Sequence, residues 1–193
     1  MRPILFARCD AGETFGIAQR AVEGAGAPVA VWEAIEGSPR PTADDFSGVV
    51  VFGSSHNVEH ADEQPFIKEA RALTQDAIDV GVPYLGVCFG AQLLSWSLGG
   101  DVVKAPVREV GFEPIRPTDD AATDPLLSHL ADGDMGFQWH MDTFTLPDDA
   151  TLLATGDQVT NQAYRLGDRT WGVQFHFEID RSELQLWLHE FGA

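Results

Sequence analysis

Gly86-Val87-Cys88-Phe89-Gly90 is the segment best equipped to do chemistry. The apolar run Val82-Pro83-Tyr84-Leu85-Gly86-Val87 leads into it, and Leu93, Leu94 and Leu98 follow at helical spacing. A cysteine on a sharp strand-to-helix turn between two glycines is a nucleophile elbow with sulfur in place of the serine oxygen. The bend lifts the side chain clear of a sheet, and the glycines leave room for it. The positive end of the following helix favours a thiolate. The N–H of Phe89 then points where an oxyanion would form. Cys9 has no such flanks and reads as a packed core residue.

A thiolate nucleophile needs a base. Trp171-Gly172-Val173-Gln174-Phe175-His176-Phe177-Glu178 supplies one. His176 ends a predicted strand, and Glu178 lies two positions on, so both side chains share a side while the chain stays extended. A carboxylate beside an imidazole fixes its tautomer and orientation, as the third member of a triad. By itself a His-x-Glu pair is common on solvated strand ends; Cys88 gives this one its weight. Other candidates take plainer readings. His56 and His60, with Glu59 and Asp62 nearby, read as a solvated helix start rather than a metal site. His129 and His189 read as surface or interface residues, and Trp139 and Trp171 as core. Two cysteines make at most one disulfide, and neither CxxC nor HExxH occurs. No metal and no cofactor is expected.

These residues must be held by a fold that alternates short apolar runs with helical stretches, the pattern of an α/β protein. Ile4–Ala7, Val29–Trp32 and Val49–Phe52 read as strands, the last typical of a strand covered on both faces. Ala18, Ala21, Val22 and Ala25 recur at helical spacing, stopped by Gly24 and Gly26. Phe66, Ile67, Ala70, Leu73, Ala77 and Ile78 form one helical stripe closed by Gly81. The second half reads as antiparallel: Asp101–Lys104, Glu109–Ile115, Phe137–Leu146, Thr151–Ala154, Gln162–Leu166 and Trp171–Phe175. Arg116–Asp134 reads as a loop with a short helical turn. A last helix starts at Asp180 with Glu183 completing a capping box, and Leu184, Trp187, Leu188 and Phe191 form its buried stripe. One domain spanning residues 1–193 is the expected organisation.

Composition excludes several functions. With 44% hydrophobic and 22% charged residues the chain can fold around a core. Thirty acids against 12 bases give a net charge of −18, which repels nucleic-acid backbones and anionic membranes. No apolar run approaches the roughly 20 residues of a membrane span, and the N-terminal apolar stretch is too short for a signal peptide. A soluble, cytoplasmic protein is expected. Such a surface repels itself at low salt. A salt-rich cytoplasm and the ordinary acidity of a mesophile protein both fit it.

Pro83–Leu94, containing Cys88 and Gln92, resembles the nucleophile motif of the class I glutamine amidotransferases, and Gly172–His176 with Glu178 resembles their His-Glu motif. Gln138–Phe144 and Glu109–Phe112 resemble the subgroup similar to the amidotransferase domain of GMP synthase. The likeness runs in order from Ile4 to the last helix. It implies a three-layer open sheet, flavodoxin-like, with a mostly parallel core and antiparallel edge strands. It also implies attack of Cys88 on the glutamine side-chain amide, proton transfer by His176 held by Glu178, and a γ-glutamyl thioester hydrolysed by water. The oxyanion donors would be the N–H of Phe89 and one from the loop Gly53-Ser54-Ser55. Gln92 would lie in the glutamine pocket, and His140 on its other wall. Since no P-loop appears here, the ammonia would pass to a separate synthetase subunit, or the protein works alone. Two alternatives stand beside this reading: a stand-alone hydrolase of other γ-glutamyl amides or peptides, and a non-catalytic module binding a small ligand or partner. The triad argues against the second.

The resemblance has two departures. The family usually has Gly-Gly-Pro where this chain has Gly53-Ser54-Ser55, and a serine is strained if that position needs φ > 0. The family also usually has proline between the His and the Glu, where this chain has Phe177. A free φ there leaves the His-Glu geometry less fixed. Both changes predict slower turnover rather than none.

Overall fold

In the computed structural model, which describes residues 1–190, all nine strands join one sheet. They are β1 (Ile4–Arg8), β2 (Val29–Glu33), β3 (Gly48–Val51), β4 (Tyr84–Val87), β5 (Val102–Pro117), β6 (Asp134–Phe144), β7 (Thr151–Gly156), β8 (Ala163–Leu166) and β9 (Thr170–Val173). The helices are α1 (Ala18–Gly24), α2 (Pro65–Asp79), α3 (Phe89–Ser97) and α4 (Arg181–Glu190). The sheet order is β2-β1-β3-β4-β9-β8-β7-β5-β6. From β2 to β9 the pairs are parallel, and from β9 to β6 antiparallel. This is the expected open α/β sheet with a parallel core and an antiparallel edge.

The period-2 geometry of strands explains the unbroken apolar runs. Leu5, Ala7, Val49 and Val51 face a core shared with Ile67, Ala70 and Leu73 of α2 and Leu93 and Leu94 of α3. Phe6, Val50 and Phe52 face the other way, onto Phe15 and the α1 residues Ala18 and Val22. The first half of the chain thus buries both faces of its sheet.

The antiparallel half departs from the sequence reading in its boundaries. The two strands expected at Asp101–Lys104 and Glu109–Ile115 are one long β5, with a register break between Lys104 and Glu109. The expected loop from Arg116 to Asp134 is shorter, since β5 runs to Pro117 and β6 starts at Asp134; a 3-10 turn fills Asp119–Thr123. β9 stops at Val173. Beyond it His176 forms an antiparallel bridge with Phe137 of β6, its N–H donating to the Phe137 carbonyl at 2.7 Å. The far edge of the sheet therefore anchors the segment that carries the histidine.

At the start of α4, Asp180 Oδ1 accepts the N–H groups of Ser182 and Glu183 at 2.9 and 3.1 Å. Glu183 does not close the capping box: its side chain is buried and accepts the Thr14 N–H at 2.8 Å. Trp187 is buried and Leu184 half-buried, but Leu188 is 51% exposed, so the apolar stripe is narrower than expected. Phe191 lies outside the described residues.

The glycines of the elbow are required by close approach. A methyl on Gly86 would sit 2.3 Å from the Gly90 carbonyl oxygen, and one on Gly90 would sit 2.0 Å from that of Val51. Gly90→Ala should lower stability by about 1–3 kcal/mol or more, because backbone on both sides cannot yield. Gly24→Ala, with nothing within 4 Å of the new methyl, should be neutral or stabilising by up to about 1 kcal/mol. Urea unfolding of the two variants checks this; equal midpoints would refute the packing argument.

Candidate active site

Cys88 sits where β4 becomes α3, at φ 51 and ψ −105. A positive φ on a cysteine is strained, of order 1–3 kcal/mol. It holds because the Cys88 N–H donates to Val173 of the neighbouring strand at 2.8 Å, while its carbonyl accepts the Ala91 and Gln92 N–H groups of α3. Phe89, the first residue of α3, has an N–H that no carbonyl of its own helix can accept.

His176 is 3% exposed and Glu178 fully buried, and His176 Nδ1 lies 2.6 Å from Glu178 Oε1. With the carboxylate accepting, Nδ1 carries the proton. Burial alone would lower the pKa of the ring. The negative charges of the Glu178 carboxylate and the Cys88 sulfur, with the hydrogen bond to Glu178, outweigh burial and hold it well above the usual histidine range. Trp187 of α4 packs edge-on against the imidazole, with ring centroids 4.8 Å apart. A methyl placed on Gly53 would lie 3.2 Å from His176 Cε1 and 3.9 Å from Cys88 Cβ, so the loop after β3 closes over both side chains.

The two departures have structural answers. Ser54 does not take a positive φ. Its hydroxyl donates to the Cys9 carbonyl at 2.8 Å and accepts the His56 N–H at 3.1 Å, which builds serine into the loop without strain. The Phe177 N–H, which proline would lack, donates to Glu178 Oε2 at 2.9 Å. Both oxygens of Glu178 are thereby engaged, so this N–H fixes the carboxylate rather than freeing it.

Behind the thiol runs a buried chain of amides of which the sequence singled out only Gln92. Gln174 Nε2 donates to Cys88 Sγ at 3.6 Å. Gln92 Nε2 donates to Gln174 Oε1 and to the Asp142 carbonyl, at 3.2 and 3.0 Å. Farther on, Gln162 Nε2 donates to Glu109 Oε2 and to the Val159 carbonyl, so its oxygen accepts from Gln138 Nε2 at 2.9 Å. Gln138 Oε1 then faces His140 Nε2 at 3.1 Å, and Glu109 Oε2 lies 3.0 Å from the same nitrogen. His140 Nδ1 meets the Asp142 carbonyl at 2.9 Å. Each ring nitrogen of His140 thus faces at least one oxygen. The signal in the sequence was glutamine at strand positions otherwise apolar, 138, 162 and 174.

Cys88, His176, Gln92, His140, Gly53 and Ser54 all line one cavity of about 390 Å³. Trp139 lines it too and is half-buried, so it is a wall residue and not the core residue expected. Trp171 packs at the edge of the core around Val173, donating to the buried Asp124 carboxylate at 3.2 Å. His56 and His60 border the outer part of the cavity, while His129 and His189 are exposed. Cys9 is buried, and burial, with Glu13 and Asp10 nearby, pushes its thiol well up. Among the described residues no helix is long and apolar enough to cross a membrane.

Removing the Gln174 amide takes the donor away from Cys88 Sγ and leaves Gln92 without one acceptor. Gln174→Leu, similar in volume, should therefore lose about 1–3 kcal/mol of stability, read from thermal unfolding. An unchanged midpoint would show that the amide chain is not a structural link.

The chain resembles the glutamine amidotransferase-like protein YfeJ of Salmonella typhimurium at 32% identity over 142 residues, covering 72% of this chain and 59% of that one. It resembles the glutamine-hydrolyzing GMP synthase of Porphyromonas gingivalis at 38% over 140 residues, covering 70% of this chain and 26% of that one. It thus spans just over half of one relative and about a quarter of the other. A solved glutamine amidotransferase from Thermotoga maritima superposes with a TM-score of 0.91 at 26% identity, over 100% of this chain and 83% of that one. Another, from Methylobacillus flagellatus, gives 0.91 at 28%, over 100% and 76%. Residues 10–191 match the family described as glutamine amidotransferase class-I, a span that takes in the elbow, the histidine segment and the cavity between them, and the chain belongs to that family.

Proposed function

We propose that this chain, acting as one amidotransferase unit, hydrolyses the side-chain amide of glutamine through Cys88, His176 and Glu178. The observation that carries the reading is the thiol on its strained turn opening into the same cavity as an imidazole fixed 2.6 Å from a buried carboxylate. The Cys88 thiolate attacks the amide carbon, and the carbonyl electrons move to oxygen. The N–H of Phe89 and a donor from the Gly53-Ser54 loop stabilise that oxyanion. His176 gives its proton to the leaving nitrogen, ammonia departs, and a γ-glutamyl thioester remains. Water then attacks the thioester as His176 takes its proton, and glutamate leaves with Cys88 restored. Gln92 and His140 shape the pocket for the rest of the substrate. The GMP synthase relatives are named glutamine-hydrolyzing, which supports a synthetase as the acceptor of ammonia.

A second reading has its own support. Arg108 is exposed at the mouth of the cavity and pairs with no carboxylate among the described residues, whereas Lys104 beside it is held by Asp142 at 2.8 Å. An unpaired cation at the entrance of a chain of net charge −18 suits a γ-glutamyl amide whose far end is a carboxylate.

Cys88→Ala should abolish ammonia release from glutamine, and Glu178→Gln should lower kcat by about 10²–10⁴-fold. Ammonia release by Cys88→Ala equal to that of the unmodified protein would overturn the reading. Arg108→Ala should raise KM for a γ-glutamyl peptide by about fivefold, roughly the 1 kcal/mol of an exposed ion pair, and leave glutamine unaffected. Equal effects on both substrates would remove the second reading.

A further inference from the structure

Three glutamates converge around the His176 segment, and the mechanism uses only Glu178. Glu13 is 3% exposed and Glu183 fully buried. Each has one oxygen committed to backbone. Glu13 Oε1 accepts the Phe15 N–H at 2.6 Å, and Glu183 Oε1 accepts the Thr14 N–H at 2.8 Å. The second oxygen of Glu183, buried, meets no donor among the described residues. The two carboxyl groups accept the N–H groups of consecutive residues, Thr14 and Phe15, and so crowd one short stretch of the loop. Two buried carboxylates so crowded cannot both be ionised, and a buried acceptor without a donor is costly. A single proton on Glu13, shared with Glu183, removes both difficulties.

The pair also ties elements together. Glu13 belongs to the loop between β1 and α1, and Glu183 to α4. That loop reaches the triad directly: the Ile17 N–H donates to the Glu178 carbonyl at 2.7 Å. Gly16, at φ 47, presses so close that a methyl there would lie 2.1 Å from the Glu178 carbonyl oxygen and 2.8 Å from Glu183 Oε2. Phe15, at φ 65, adds strain that something must hold.

We propose that Glu13 and Glu183 share one proton, and that this acid pair is a positioning device clamping the β1–α1 loop to α4 and thereby fixing Glu178 against His176. The shared proton stands on the burial of both carboxyl groups, their neighbouring backbone bonds and the unpartnered Glu183 oxygen; its effect on catalysis rests on the triad reading above. The groups acting on Glu13 are Glu183 from α4 and Glu178 from the segment after β9; Cys9, just past β1, lies near it, and His176 and Cys88 share with it the surroundings of Gly53. Burial, then the charge and hydrogen bond of Glu183, then Glu178, hold the Glu13 carboxyl well above its ordinary range, against the Phe15 N–H, which lowers it. A raised acid binds its proton more tightly folded than unfolded. Its stabilising contribution is complete below the unfolded value and is lost as pH rises through the folded one.

Two measurements without substrate test the shared proton. Melting temperature should fall for the native protein relative to Glu13→Gln as pH is raised from about 5 towards 8, since the amide keeps a donor to Glu183 but cannot lose a proton. His176 adds an alkaline slope of its own, common to both proteins, so the difference is the readout. An infrared carbonyl band of a protonated carboxyl should be present in the native protein and absent from Glu13→Gln. Parallel melting profiles, or a band unchanged in the variant, would overturn the shared proton. The positioning role is read from the rate at which iodoacetamide alkylates Cys88. Glu13→Ala should slow it by about tenfold, one decade for 1.36 kcal/mol, and Glu13→Gln should restore most of that loss. If Glu13→Ala does not fold, Glu183→Ala against Glu183→Gln gives the same comparison. Equal alkylation in the alanine and glutamine variants would refute the positioning role even where the proton is confirmed.

Discussion

The backbone of Cys88 is the constraint on which the rest of the site depends. Its positive φ is tolerable only while β4, β3 and the first turn of α3 pack backbone against backbone, and that contact exists because residues 86 and 90 have no side chain. Once the turn is set, the thiol faces the cavity, the helix N-terminus points at it, and the β3 loop falls across it. A side chain at either glycine would push the helix from the sheet and move every one of these groups together.

The histidine is placed by a different device. β9 carries the chain alongside β4, and then the strand order passes it to β6 through the Phe137–His176 bridge. The polar interior that accompanies this crossing is unusual for a sheet. Four buried glutamines, Gln92, Gln138, Gln162 and Gln174, hand hydrogen bonds from the thiol to the Asp142 carbonyl and from Glu109 to His140. Glutamine has both a donor and an acceptor in a planar amide, so such a chain can satisfy itself and fix its own direction. The result is a rigid wall opposite the His-Glu pair.

The three buried glutamates, Glu13, Glu178 and Glu183, show how charge is managed inside an acidic protein. Glu178 is committed to His176 and the Phe177 N–H, while Glu13 and Glu183 divide the backbone N–H groups of one strained loop. Acids exposed on the surface can relax into water. These cannot, and so each is tied to a specific partner.

Residue types and local periodicity were enough to mark the elbow at Cys88, the strand-end His176 with Glu178, and the alternation of strands and helices, because each is a short-range pattern written in neighbouring residues. The unbroken run Val49–Phe52 likewise revealed a strand buried on both faces. What spacing could not show depends on contacts between distant segments. Glu183 looked like a capping residue because its position relative to Asp180 is that of a capping box, yet Thr14, 169 residues away, takes its carboxylate. Trp139 looked like core because indole is apolar, but β6 lies at the sheet edge and turns it to the cavity wall. Ser54 and Phe177 looked like weaknesses because only φ could be judged; the folded chain turns one hydroxyl and one added N–H into the bonds that hold the loop and the carboxylate. Sequence determines which side chains can react, and tertiary structure decides which of them meet, because a hydrogen bond is set by distances across the fold rather than along the chain.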